Sequence, residues 1–195
     1  MAKLIPNPAI GAPTGTIGEL VFARYKIGKI IIRKRPVRTA EKREGEAANQ
    51  QGFAKAVDYA NGVWATNPEL RAKYNAAARE QGRQGFHLAK ADFRLPPTVQ
   101  EIDLDGYAGN SGEIIRIVAQ DDFEVKAVGV IIRDLAGGLI EQGAAAQENG
   151  TRANWVYRAQ TQVPAGQTVV IEATATDHPD HTGTRRVDHA CGLRR

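Results

Sequence analysis

The chain has a single cysteine, Cys191, among 195 residues. That excludes an intrachain disulfide. Long apolar runs are missing too: none approaches the roughly 20 residues of a membrane-spanning helix. The opening Met1-Ala2-Lys3-Leu4-Ile5-Pro6 contains no apolar stretch long enough for a signal peptide. Synthesis in the cytoplasm is therefore expected, without a membrane span. It is compatible with later incorporation into a virion or released particle. Catalytic signatures are absent as well. Gly137-Gly138 lacks the lysine and the strand–helix setting of a phosphate loop. No Ser or Cys is set in a motif with His and Asp that would support nucleophilic chemistry. The expectation is a protein that is not an enzyme and carries no cofactor.

What the chain does have is ordinary globular composition, 42% hydrophobic and 25% charged, with its charge unevenly spread. Residues 1–96 hold 17 Lys/Arg against 8 Asp/Glu, a balance of +9, and residues 97–195 hold 9 against 14, a balance of −5. The first half is thus suited to an acidic partner: nucleic acid, another subunit, or the acidic half of a neighbouring copy.

Leu95-Pro96-Pro97-Thr98 divides two unlike halves, because paired prolines disfavour helix and stiffen a connection. Ahead of it, residues 1–18 carry Pro6, Pro8, Pro13, Gly11, Gly15 and Gly18 and read as an irregular arm. Residues 19–95 read as a basic β-hairpin followed by helices. Leu20-Val21-Phe22-Ala23 and Ile30-Ile31-Ile32 flank a turn at Lys26-Ile27-Gly28-Lys29, and the second strand runs into Arg33-Lys34-Arg35. Thr39 is placed as a helix N-cap, with Phe53, Val57, Ala60 and Trp64 on one face of that helix. Asn67-Pro68-Glu69 starts a second helix, with Leu70, Tyr74 and Ala77 on its stripe. Gly82 and Gly85 interrupt the pattern before Phe86, Leu88, Ala89 and Phe93 resume it in a third short helix.

Arg38-Thr39-Ala40 through Gln50-Gln51-Gly52-Phe53, Trp64, and Asn67 through Ala78 together resemble an uncharacterised bacterial and phage-associated family. Its pattern is a basic hairpin, an R-T-x-x-Q-type helix with a phenylalanine and a tryptophan, then an R-x-x-(W/Y)-x-x-A helix. This chain departs from it at Glu41-Lys42-Arg43 and in its added glycines. The resemblance spans about residues 18–95. It implies a component of a phage-derived particle and no catalytic residues.

Residues 98–191 read as short strands: Val99–Leu104, Glu113–Ala119, Phe123–Asp134, Leu139–Glu141, Asn154–Ala159, Thr168–Thr176 and Thr184–His189. Alternation puts Ile115, Ile117 and Ala119 on one face, as it does Val128, Val130 and Ile132, Trp155, Tyr157 and Ala159, and Val169, Ile171, Ala173 and Ala175. The run Ala119–Phe123, Val128–Asp134, Trp155-Val156-Tyr157 and Ala173–Asp177 resembles bacterial immunoglobulin-like and fibronectin-III-like modules. The expected class is α+β in two domains: an N-terminal β-hairpin with a helical hairpin, and a C-terminal antiparallel immunoglobulin-like β-sandwich. That fold alone assigns no function.

Two side-chain groups stand out. Arg24, Lys26, Lys29, Arg33, Lys34, Arg35 and Arg38, continued by Lys42 and Arg43, form either an assembly surface pairing with acidic groups of a neighbour or a phosphate-contacting ribbon. A solvated hairpin face guarding its edges is the plain alternative. His178, His181, His189 and Cys191 are candidate metal ligands if the last hairpin brings His178 towards His189, although the spacing matches no standard zinc pattern. The plain alternative is a polar loop and an exposed tail. Asp103, Asp105, Asp121 and Asp122 lack a calcium-loop spacing and suit turns. The leading expectation is a non-enzymatic structural protein, self-associating or joined to other subunits of a phage-like or filamentous particle through its arm and hairpin. The alternative is a nucleic-acid-binding protein using segment 24–43.

Overall fold

A computed structural model describes residues 2–4, 15–24, 30–35, 45–148 and 151–192. They fall into two compact units, Met1–Ala47 and Ala48–Arg195. The helices thus group with the C-terminal strands, whereas the sequence grouped them with the hairpin.

The first unit is a four-stranded antiparallel sheet in the order β1-β4-β3-β2. Its strands are β1 (Ala2–Leu4), β2 (Gly15–Ile17), β3 (Leu20–Arg24) and β4 (Ile30–Lys34). The expected hairpin is therefore present as β3 and β4, while its turn at Lys26–Lys29 lies outside the described residues. The expected irregular arm instead supplies the two outer strands. β2 folds back on β3 through Gly18-Glu19, pairing Ile17 with Leu20, and β1 adds to β4. A backbone left with an open hairpin edge gains ladder hydrogen bonds this way, which outweighs the arm's weak strand propensity.

In the second unit, α1 (Glu46–Thr66), α2 (Pro68–Glu80) and α3 (Gly85–Asp92) precede seven strands. Thr39 and the start expected for α1 lie outside the described residues. The buried side of α1 is Ala56, Ala60 and Val63; of the expected stripe, Ala60 is buried and Trp64 packs against the helix cluster, while Phe53 lies off it. Phe53 remains 49% exposed, with the Lys90 ammonium 5.1 Å from its ring centre. Gly52 and Gly62 sit inside α1 without ending it, since tertiary burial overrides a per-residue cost of about 1 kcal/mol. The α2 start follows the sequence reading: Asn67 Oδ1 accepts the Leu70 N–H at 3.0 Å, with Pro68 in the first turn. Asn67→Ala is expected to lower unfolding free energy by about 1 kcal/mol, the usual worth of an N-cap. A urea midpoint identical to wild type would contradict that.

The seven strands are β5 (Thr98–Asp103), β6 (Ile114–Gln120), β7 (Ala127–Asp134), β8 (Leu139–Gln147), β9 (Asn154–Arg158), β10 (Thr168–Thr176) and β11 (Thr182–Ala190). All neighbours are antiparallel in the order β11-β10-β7-β8-β9-β6-β5. β8 joins two ladders: Leu139–Ala145 pairs with β7, and Ala146-Gln147 pairs with β9. It runs past the expected Glu141 because two neighbours use its backbone, although Gly143 and the alanines after it are poor strand formers. The sheet curls until its two ends meet, where the Arg185 guanidinium on β11 donates to the Gln100 carbonyl on β5.

The alternating residues named from the sequence line the inside of this curl. Ile115, Ile117, Ala119, Ile132, Val169, Ile171, Ala173 and Ala175 are fully buried, with Trp155 and Tyr157 nearly so. A second cluster joins Ala60, Val63, Tyr74, Ala78, Leu88 and Ala89 of the helices, with Phe123 from the loop after β6 packed on it.

Candidate assembly surface and a buried carboxyl cluster

The register of the first unit decides which side chains share a face. Ile17 opposes Leu20, which opposes Lys34, and Phe22 opposes Ile32. One face therefore carries Ile17, Leu20, Phe22, Ile32 and Lys34, and the other carries Thr16, Val21, Ala23, Ile31 and Arg33. Among the described residues of this unit, no side chain is buried. Ile17 is 67% and Leu20 44% exposed. Val21, Phe22, Ala23, Ile31 and Ile32 are half-buried, so the described side chains form no fully buried layer of the kind that normally holds a sheet together.

The basic candidates divide by this geometry. Arg33 and Lys34 point to opposite faces, and Arg33, Lys34 and Arg35 are all exposed. Lys34 Nζ lies 3.3 Å from Glu19 Oε2, both ends well exposed, a pairing worth little on its own. Arg24 lies in β3, and Lys26, Lys29, Arg38, Lys42 and Arg43 lie outside the described residues.

The four candidate metal ligands are not brought together. In the β10–β11 hairpin Thr176 pairs with Thr182, and Val169 pairs with His189. His178 and His181 therefore sit at the turn, while His189 and Cys191 sit seven pairs away along the hairpin, on the order of 20 Å at normal strand rise. His189 packs against the Tyr107 ring at 5.5 Å. Cys191 is fully buried, and burial pushes its thiol up. His178 Nε2 is 3.2 Å from Glu124 Oε2, and His181 Nδ1 is 3.3 Å from Asp177 Oδ2. Among the described residues no group of three or more His, Cys, Asp or Glu is placed to hold a metal ion.

The same end of the strand module holds a group that the sequence does not join, although Tyr74 was expected on a helix stripe and Asp121 in a turn. Tyr59 Oη lies 3.0 Å from Tyr74 Oη, and Tyr74 donates its hydroxyl hydrogen to Asp92 Oδ2. Asp92 and Asp177 are fully buried. Both Asp121 carboxylate oxygens are buried without a hydrogen-bond partner, as is Asp92 Oδ1. Burial pushes Tyr59 up to about 12 and pushes Tyr74 upward as well. Asp177 is raised by burial, against the opposing pull of His181. Next to it, burial raises Glu124, but His178 and Lys73 outweigh that and hold it below the usual range. One sequence signal did point here: Asp92 falls four residues after Leu88 and three after Ala89, on the buried stripe of α3, where a charged residue is rare unless paired.

No protein-family model matches the sequence, and no curated protein matches it. Solved structures give remote likenesses. CopC from Methylosinus trichosporium is 11% identical, with 49% of this chain and 92% of that chain covered at a TM-score of 0.38. A conjugative transposon lipoprotein from Bacteroides eggerthii is 8% identical over 48% of this chain and 94% of that one, with a TM-score of 0.26. Bifidobacterium dentium β-glucuronidase is 14% identical over 50% of this chain and 17% of that one, also at 0.26. None of the three is near enough to transfer an activity.

Among the described residues, no helix is long and apolar enough to cross a membrane.

Proposed function

We propose that the protein is a non-enzymatic assembly component that associates with copies of itself through the sheet of residues 2–35. The observation that carries this reading is that sheet's lack of any buried described side chain. Fully burying an exposed large apolar side chain stabilises by about 1.5–3 kcal/mol, so covering exposed Ile17 and Leu20, with what half-buried Phe22 and Ile32 still expose, drives association. The positive first half and negative second half favour a second copy as the cover, since each copy offers both signs. Residues 98–191 are read as an immunoglobulin-like module. What supports this is the strand order: β5-β6-β9-β8 and β7-β10-β11 reproduce the ABED and CFG sets of that fold. A phage-like or filamentous particle, built from copies made in the cytoplasm, is the setting we infer from the resemblance of residues 18–95.

Phe22→Asp with Ile32→Asp in the full chain is expected to reduce assemblies to monomers, read by light scattering and negative-stain imaging. Assemblies of unchanged mass would overturn the reading. Arg33→Ala, Lys34→Ala and Arg35→Ala together decide the nucleic-acid alternative. Salt-sensitive DNA or RNA binding that vanishes in this triple variant, in a protein that stays monomeric, would put that alternative in place of assembly.

A further inference from the structure

We propose that Asp92 and Asp121 share one proton, and that this proton latches the helices to the end of the strand module. Asp92 closes α3, and Asp121 directly follows β6, so the pair bridges the two layers. Asp92 Oδ2 is served by Tyr74, but Asp92 Oδ1 and both Asp121 oxygens lack any donor. Asp121 is among the groups that raise Asp92, through a hydrogen bond and through its charge. Two buried like charges in contact cannot both ionise at low cost. A proton held between them removes one charge and supplies the missing donor.

α1 contributes Tyr59, bound to Tyr74 of α2. The turn after β10 contributes Asp177, whose Oδ1 accepts the His181 N–H at 2.6 Å. This third acid adds to the repulsion on Asp92. The nearby basic side chains pair as follows: Lys73 and His178 lie 3.5 and 3.2 Å from Glu124, and Lys126 lies 2.7 Å from Asp180, while His181 lies 3.3 Å from Asp177 within the cluster. Aromatic contacts cross the same junction. Phe123 stacks on Tyr74 at 4.1 Å between ring centres, and Phe93 meets His181 edge-on at 5.0 Å.

Burial pushes Asp92 up to about 8, the Tyr74 hydrogen bond opposing and Asp121 reinforcing it. In the unfolded chain an aspartate titrates near 4, roughly. Between those values the folded state holds a proton that the unfolded state has released. Stability is therefore complete below the lower value and falls as pH rises through the window, by about tenfold in the folding constant per pH unit. This is the reverse of an ordinary salt-bridged carboxylate.

The test is urea unfolding of the full chain at mildly acidic and mildly alkaline pH, with Asp92→Asn beside wild type. Asn keeps an acceptor for Tyr74 and offers Asp121 a permanent donor. Wild type is expected to lose stability towards alkaline pH, and Asp92→Asn to lose little. Equal slopes in the two proteins would overturn the proposal. Carbon-13 titration of the carboxyl groups in wild type keeps the question decidable if the variant fails to fold. An Asp92 midpoint well above the normal aspartate range supports the latch, and one within that range overturns it. Calcium that stabilises wild type at alkaline pH, but not Asp92→Asn, would also overturn it, because the oxygens would then serve a cation.

Discussion

Gly183→Ala is expected to cost about 3 kcal/mol or more, the upper range for forcing extra volume into a packed site. Gly183 lies in β11 opposite Ala175. A Cβ there would overlap the Pro97 carbonyl oxygen and lie 2.8 Å from the Pro97 carbonyl carbon and 3.3 Å from Thr98 Cα. Those are backbone atoms at the entry to β5, so no side-chain rotation relieves the overlap. The two ends of the curled sheet must move apart, taking the Arg185–Gln100 hydrogen bond with them. Gly129→Ala is the control, since Gly129 is also in a strand but has nothing within 4 Å of the added methyl. Removing a strand glycine there is expected to be neutral or to stabilise by roughly 0.5–1 kcal/mol. Urea unfolding of both variants checks the pair. Similar midpoints would contradict the closure of β11 on β5.

Tyr74→Ala is expected to cost about 3–5 kcal/mol, the range for removing a buried aromatic. Tyr74 is fully buried and stands between helices and strands. Its ring stacks on Phe123 at 4.1 Å and on Trp64 at 6.4 Å, and its hydroxyl links Tyr59 to Asp92. Tyr74→Phe keeps the ring and removes the donor, so a loss of about 1–3 kcal/mol is expected from the unsatisfied Asp92 oxygen. Thermal unfolding should rank the proteins as wild type, then Phe, then Ala. A Phe variant as damaged as Ala would show that the hydroxyl, not the packing, dominates. An Ala variant close to wild type would remove Tyr74 from the centre of the helix cluster.

The inner face of the second unit was legible in the sequence because period-2 alternation is a local signal. Ile115, Ile117, Val130, Ile132, Ile171 and Tyr157 could be assigned before any pairing was known, and all are buried. Asn67-Pro68 was equally legible, because capping chemistry is local. The extension of β8 to Gln147 and the use of the arm as two strands were not. Both depend on which backbones lie alongside, not on the residues themselves. The stripe of α1 was legible at Ala60 and Trp64, which join the helix cluster, but not at Phe53, which stays exposed while Ala56 and Val63 are buried: a large apolar side chain marks a face more strongly in sequence than a small one that fits closely. The C-terminal histidines failed as a group for a reason of register: paired strands separate residues that a shorter loop would have joined. Asp92 and Asp121 lie 29 positions apart, and only the packing of α3 on the strand module makes them neighbours.

The most direct test of the central claim is the sedimentation mass of the wild-type full chain over a wide range of protein concentration, at low and high salt. Self-assembly through the N-terminal sheet predicts masses that are multiples of 21.1 kDa and grow with concentration. A single species of 21.1 kDa under every condition would contradict the account.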